Sequence, residues 1–136
     1  DFPALEELAL RMAGAALRLS HENMPPPERA RDIGRIAAAA RLIEEHYEEP
    51  LTIADIAARV GLSRYHFLRL FSATLGMTPY QYLLNRRLRA AARTLRADRR
   101  SVLDAALSSG FGDLSEFTRR FRRTFGQTPA AYRGRR

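Results

Sequence analysis

The sequence contains no cysteine and no lysine. Without cysteine there are no disulfides, zinc-thiolate sites or thiol nucleophiles, a composition that suits a reducing cytoplasm. No run approaches the roughly 20 apolar residues that span a bilayer, so no membrane segment is expected. A basic-then-apolar leader is lacking too, which leaves no sign of secretion. Alternating apolar and polar residues of the strand type do not occur. Histidine is scarce: His21, His46 and His66 lie far apart, and His66 falls beside an apolar stripe, where a structural role is expected. Glu44 and Glu45 next to His46 lack metal-ligand spacing. With no constellation of acid, base and nucleophile, the sequence reads as a non-enzyme that needs no cofactor or metal.

What is present is arginine, unevenly spread. Residues 1–62 hold seven Arg against eleven acids, a balance of −4, whereas 63–136 hold sixteen Arg against four acids, a balance of +12. The choice of Arg over Lys reads either as a GC-rich genome or as phosphate and base recognition through the planar fork, and codon bias does not explain this asymmetry. Positive charge gathered in one half is the footprint of a polyanion-binding face. At 136 residues the chain is long enough for one ordinary core or for two small ones of about 50 residues each. A start at Asp1 in place of Met reads as a trimmed fragment, with a further domain expected upstream.

Leu5, Leu8, Met12, Ala15, Ala16 and Leu19 recur at helical spacing and predict an amphipathic helix over 4–20. HENMPPP, residues 21–27, breaks it, because successive prolines remove backbone donors. A second helix is predicted from about Asp32 to Tyr47, with Ile33, Ile36, Ala37, Ala40 and Ile43 on one stripe.

Beyond it the chain repeats itself. Phe67, Arg69, Phe71, Thr74, Gly76, Thr78, Pro79 and Tyr82 recur fifty positions later as Phe117, Arg119, Phe121, Thr124, Gly126, Thr128, Pro129 and Tyr132. Thr52, Asp55, Ala57 and Gly61 recur at forty-nine, as Ser101, Asp104, Ala106 and Gly110, so the second copy carries one extra residue near Gly112. Each copy reads as a short helix, a tight turn and a longer helix. Thr52 and Ser101 cap the first helix, and Ser63 and Asp113 the second. Gly61 and Gly110 mark the reversals, Gly76 and Gly126 the helix ends, and Pro79 and Pro129 open the next element. This is a helix-turn-helix written twice.

In helix 63–75, Phe67, Leu70, Phe71 and Leu75 form the core stripe, while Tyr65, Leu68, Arg69 and Ser72 face away. The repeat places Phe117, Phe121 and Phe125 inside and Ser115, Thr118, Arg119 and Arg122 outside. Arg on an exposed second helix is what reading the DNA major groove requires, since its planar fork grips guanine O6 and N7 together. Between the copies, residues 79–96 form one helix with Leu83, Leu84, Leu88, Ala91, Ala92 and Leu95 turned inward. Its eighteen residues span about 27 Å. With the half-width of each flanking unit added, the two second helices fall about 34 Å apart, one turn of B-DNA.

These residues resemble the AraC/XylS family of transcription regulators over 34–133. The match runs through Leu51, Ile56-Ala57, Gly61, Ser63, Phe67, Arg69, Phe71, Gly76, Pro79, Tyr82, Arg87-Leu88, Ala91 and Leu95. It continues with Ala106, Gly110-Phe111, Phe117, Arg119, Phe121, Gly126, Pro129 and Tyr132-Arg133. The resemblance implies an all-α fold of about seven helices, two helix-turn-helix subdomains joined by a long linker helix and preceded by the extra N-terminal one. Its expected boundaries are 1–31, 32–78, 79–97 and 98–136. It also implies base contacts from Tyr65, Leu68 and Arg69 in the first unit and from Leu114, Ser115, Glu116 and Arg119 in the second. Arg64, Thr118 and Arg133 match phosphate-contacting positions. Leu68 stands where a polar residue is usual and is limited to touching a thymine methyl. Glu116 reads either as an acceptor for cytosine N4 or as a capping carboxylate, three residues after Asp113. Ala105-Ala106 replace a bulkier pair, so a thinner second core is expected. The partners implied are double-stranded DNA, RNA polymerase and a homodimer formed through the N-terminal segment or a sensor domain, all in the cytoplasm. The alternative is a protein-interaction module whose basic helices hold an acidic partner. Within the DNA-binding class, the helix over 4–20 and the PPP linker favour the output domain of a ligand sensor over a stand-alone regulator.

Overall fold

The computed structural model describes Arg11, residues 27–97 and residues 100–134. The predicted helix over 4–20 and most of its linker lie outside these, Arg11 excepted. Seven α-helices and no strand make up the described residues: α1 Pro27–His46, α2 Ile53–Arg59, α3 Arg64–Leu75, α4 Pro79–Ala97, α5 Val102–Ser108, α6 Leu114–Phe125 and α7 Pro129–Arg133. They form two compact units. Among the described residues, one comprises 27–45 and 51–82, and the other 46–50 and the residues from Leu83 onward.

Helix α1 begins at Pro27, five residues before the expected start. A proline in the first turn surrenders only an amide that has no helical partner there, so the end of a proline run can belong to the helix it introduces. The buried stripe is Ile36, Ala39, Ala40 and Ile43. Ile33 and Ala37 are only half-buried. Ala37 lies about 100° round the axis from Ile36, which takes it off the Ile36–Ile43 line, while Ala39 falls on the other flank of that line.

In the first unit, α2 buries Ile56 and Ala57 and α3 buries Phe67, Phe71 and Leu75. Phe71 meets Phe67 edge-on with centroids 5.5 Å apart, and Tyr82 at 5.8 Å. The Tyr82 hydroxyl donates to Glu44 Oε1 at 2.8 Å, which ties the start of α4 to α1. A reciprocal capping box starts α4: Gln81 N–H donates to Thr78 Oγ1 at 3.1 Å, and Thr78 N–H to Gln81 Oε1 at 2.9 Å.

The second unit repeats this plan with different filling. Ala105 stands where the first unit has Ile56, and both are fully buried. The expected thinning is offset one turn later, where Phe111 replaces Leu62 and packs edge-on against Phe117 at 5.1 Å. From there a ladder of rings continues through Phe121 to Phe125 and Tyr132, with centroids 4.4–5.6 Å apart. Aromatic pairs at such distances contribute about 0.5–1.5 kcal/mol each beyond their area. Phe125 is half-buried, the outermost rung on α6.

Also in the second unit, Arg87 holds the segment that follows α1. Its Nε donates to Tyr47 O at 2.7 Å and its guanidinium to Glu49 O at 2.8 Å, pairing main-chain carbonyls of a segment that lies beyond the helix and outside any ladder. Arg86 lies over the Tyr47 ring, 3.9 Å from its centroid. Gly110 closes against this cluster with φ +102°, and a Cβ there would come within 2.7 Å of Arg87 Nε and Tyr47 O.

The two turn glycines are therefore not equivalent. At Gly61, φ is +73° and a Cβ meets nothing within 4 Å, so Gly61→Ala carries only the left-handed backbone penalty of about 1–2 kcal/mol. Gly110→Ala adds overpacking against Arg87 and is expected to lose roughly 1–3 kcal/mol more. Urea unfolding of the two variants measures the difference, and equal losses would mean that Arg87 and the Tyr47 carbonyl both give way without cost.

Candidate nucleic-acid interface

Two helices of equal length, α3 and α6, are presented by equivalent means. Ser63 caps α3 by accepting from His66 N–H at 3.2 Å, and Asp113 caps α6 by accepting from Ser115 N–H at 2.9 Å. Both end on a left-handed glycine, Gly76 at φ +74° and Gly126 at φ +75°. The turn before α3 occupies residues 60–63 and that before α6 residues 109–113, so the extra residue of the second copy lies in its turn, as its sequence spacing predicts.

Phenylalanine sets the rotation of each helix. With Phe67 and Phe71 fully buried, Arg64, Tyr65 and Arg69 are exposed and Leu68 and Ser72 are half-buried. With Phe117 and Phe121 fully buried, Leu114, Ser115, Arg119, Arg122 and Arg123 are exposed and Glu116 and Thr118 are half-buried. Tyr65, Leu68 and Arg69 on α3, and Ser115, Glu116 and Arg119 on α6, lie on or beside the face opposite the rings, while Leu114, three residues before Phe117, lies on the ring side and is exposed at the first turn of α6. The predicted phosphate-contacting residues are more scattered. Arg64 opens α3, Thr118 sits midway along α6, and Arg133 is half-buried on α7. His66, expected at a structural position, is exposed, one residue before the buried Phe67 and so about 100° round the helix from it.

On α3, the Arg69 guanidinium carbon lies 5.6 Å from the centroid of the Tyr65 ring. Tyr65 is 69% exposed, an unusual position for a large ring on a small domain. On α6, an open cleft of about 790 Å³ is lined by Leu114, Ser115, Thr118, Arg119, Arg122 and Arg123. Glu116 turns towards the flank, where its Oε1 accepts from Arg120 Nε at 3.0 Å. Such an i, i+4 pair contributes a few tenths of a kcal/mol. Reading the sequence by outward positions passed over Arg123, although its i+4 spacing from Arg119 was the available signal. It also passed over the Tyr65–Arg69 pair, which has the same spacing.

Among the described residues, no group of three His, Asp or Glu side chains could hold a metal ion. No helix among them is long and apolar enough to cross a membrane. The surfaces of α3 and α6 offer guanidinium, hydroxyl and aromatic groups, the chemistry of hydrogen bonding to base edges and phosphates.

A family model described as a helix-turn-helix domain matches residues 56–135. The chain is 40% identical over 91 residues to the right origin-binding protein of Escherichia coli K12, an alignment covering 67% of this chain and 32% of that protein. It thus spans about a third of the length of that relative. Among solved structures, it resembles a probable AraC family transcriptional regulator from Rhodopseudomonas palustris CGA009, with a TM-score of 0.70 and 30% identity over 75% of this chain and 96% of that one. It resembles equally the DNA-binding domain of AdpA, a global transcriptional factor solved with a target DNA, with a TM-score of 0.70 and 34% identity over 73% of this chain and 89% of that one. Two capped helix-turn-helix units, together with these matches in sequence and in structure, make this chain a member of the AraC/XylS family of DNA-binding, transcription-regulating domains.

Proposed function

We propose that the chain binds double-stranded DNA sequence-specifically as a monomeric two-part reader, with α3 and α6 each entering one of two successive major grooves. The observation that carries this reading is the repeated pairing of a buried phenylalanine face with an outward arginine at the same position, Arg69 on α3 and Arg119 on α6. Tyr65, Leu68 and Arg69, with Leu114, Ser115, Glu116 and Arg119, face base edges; Arg64, Thr118 and Arg133 contact phosphate. Glu116 accepts from cytosine N4 or serves to steady Arg120. The similarity to a domain solved with its target DNA supports the mode of binding. In the whole protein this domain is the output of a ligand-responsive cytoplasmic regulator that works with RNA polymerase, residues 1–31 leading to a sensor domain or to a dimer contact.

Salt dependence tests the electrostatic part. If about six phosphates are neutralised, log K should fall against log salt with a slope of about −5. A slope near zero would mean that the arginine-rich half does not face DNA.

Selection on random DNA tests the reading itself. Arg69→Ala and Arg119→Ala should each cost about 1–3 kcal/mol in binding and relax preference at one base pair only. The two affected base pairs should lie about ten apart and form no palindrome, because one chain reads both through chemically different helices. Folding stability should change by less than about 0.5 kcal/mol, since both side chains are exposed. Uniform weakening on every sequence would instead make these arginines phosphate anchors.

A further inference from the structure

The two outward arginines are matched in sequence but not in surroundings. Arg69 has an aromatic ring one helical turn before it, with its guanidinium carbon 5.6 Å from the Tyr65 centroid. At the corresponding place before Arg119 stands Ser115, which has no ring to offer. One turn further on, the first unit has Ser72 and Ala73, where the second has Arg122 and Arg123. Residues three and four apart on a helix are neighbours, so Arg119 shares its surface with two like charges while Arg69 shares its own with a π-face.

The chemistry of these neighbours differs in consequence. A guanidinium held near a ring by a cation–π contact keeps N–H groups available to grip guanine O6 and N7. The contact narrows the rotamers of a long side chain before DNA arrives, and the ordering cost of binding falls. Arg119 gains no such ordering from Ser115, and repulsion from Arg122 and Arg123 favours spreading the three guanidinium groups along the cleft of α6. Spread cations suit a phosphate backbone better than a single base edge.

We infer that Tyr65 is a positioning residue for Arg69, and that this makes the two helices unequal readers: α3 discriminates its base sharply, and α6 holds its site more through charge. The inference rests on the proposed base contact of Arg69, and the experiment separates the two. Binding of the full chain is measured on its selected site and on the three variants of the base pair that Arg69 reads, and the ratio of preferred to other bases is the readout. Tyr65→Ala should lower that ratio about two- to fivefold, the size of an exposed cation–π contact. Tyr65→Phe, which keeps the ring, should retain it. In an Arg69→Ala background, Tyr65→Ala should leave the ratio unchanged, since a residue acting through another has nothing left to act on. The salt slope of Tyr65→Ala should match the parent because no charge is lost. Conversely, Ser115→Tyr should raise the ratio at the base pair read by Arg119 by a similar factor.

A Tyr65→Ala effect at the Arg69 base pair that persists without Arg69 would overturn the inference, because Tyr65 would then read that base pair directly and not only the base edge it faces beside it. Loss in Tyr65→Phe equal to that in Tyr65→Ala would overturn it too, by assigning the effect to the hydroxyl. No gain from Ser115→Tyr would refute the inequality between the helices. If Arg69→Ala weakens all four base pairs alike, the base contact itself fails and the positioning role falls with it.

Discussion

Everything the surface of this domain can do depends on how two helices are rotated about their own axes. A pair of phenylalanines four residues apart settles it in each case: Phe67 and Phe71 on α3, Phe117 and Phe121 on α6, all four fully buried. Withdrawing any of these rings would cost about 3–5 kcal/mol, far more than any surface contact on the same helix can recover. With the rings committed inward, the 3.6-residue period leaves Tyr65 and Arg69, or Ser115 and Arg119, no direction but outward. Glycine caps at positive φ then stop both helices at the same length.

Duplication has kept this frame and altered what fills it. Ile56 and Leu62 in the first unit become Ala105 and Phe111 in the second, an exchange that moves volume from the short helix to the turn. Phe111 begins a continuous stack of rings through α6 to Tyr132, whereas in the first unit the rings stop at Phe67, Phe71 and Tyr82. The matched tyrosines keep their packing and change their hydroxyl partners. Tyr82 donates to Glu44, while the Tyr132 oxygen accepts from Arg96 at 3.3 Å. Core packing tolerates such swaps when volume is conserved, which leaves the exposed faces free to diverge.

Arginine also does two jobs that its abundance conceals. Arg87 donates to two main-chain carbonyls beyond α1, Arg86 stacks on Tyr47, and Arg89 is 6% exposed. Arg120 pairs with Glu116 on the flank of α6. These side chains serve the fold, so the net charge of residues 63–136 overstates the cations available to phosphate. On α3 and α6 the arginines left exposed are Arg64, Arg69, Arg119, Arg122 and Arg123.

From the sequence alone came the all-α class, the duplicated helix-turn-helix, its caps, its left-handed glycines and the outward faces of α3 and α6. Each of these is local: a cap and its amide lie two or three residues apart, a stripe repeats every three or four, and a repeat needs only a constant offset. Finer placement along α1, with Pro27 inside the helix and Ala39 in place of Ala37 at its buried centre, needed the neighbours that α1 packs against. The same holds for the pairing of Arg87 with carbonyls forty residues away, the closure of Gly110 upon it, and the recovery by Phe111 of the volume missing at Ala105. Composition marks an arginine as charged wherever it stands, but only the folded chain decides which guanidinium groups are spent on carbonyls and rings and which remain at the surface. The carbonyls held by Arg87 and the ring beneath Arg86 are supplied by a segment about forty residues away, which the sequence order does not bring to them.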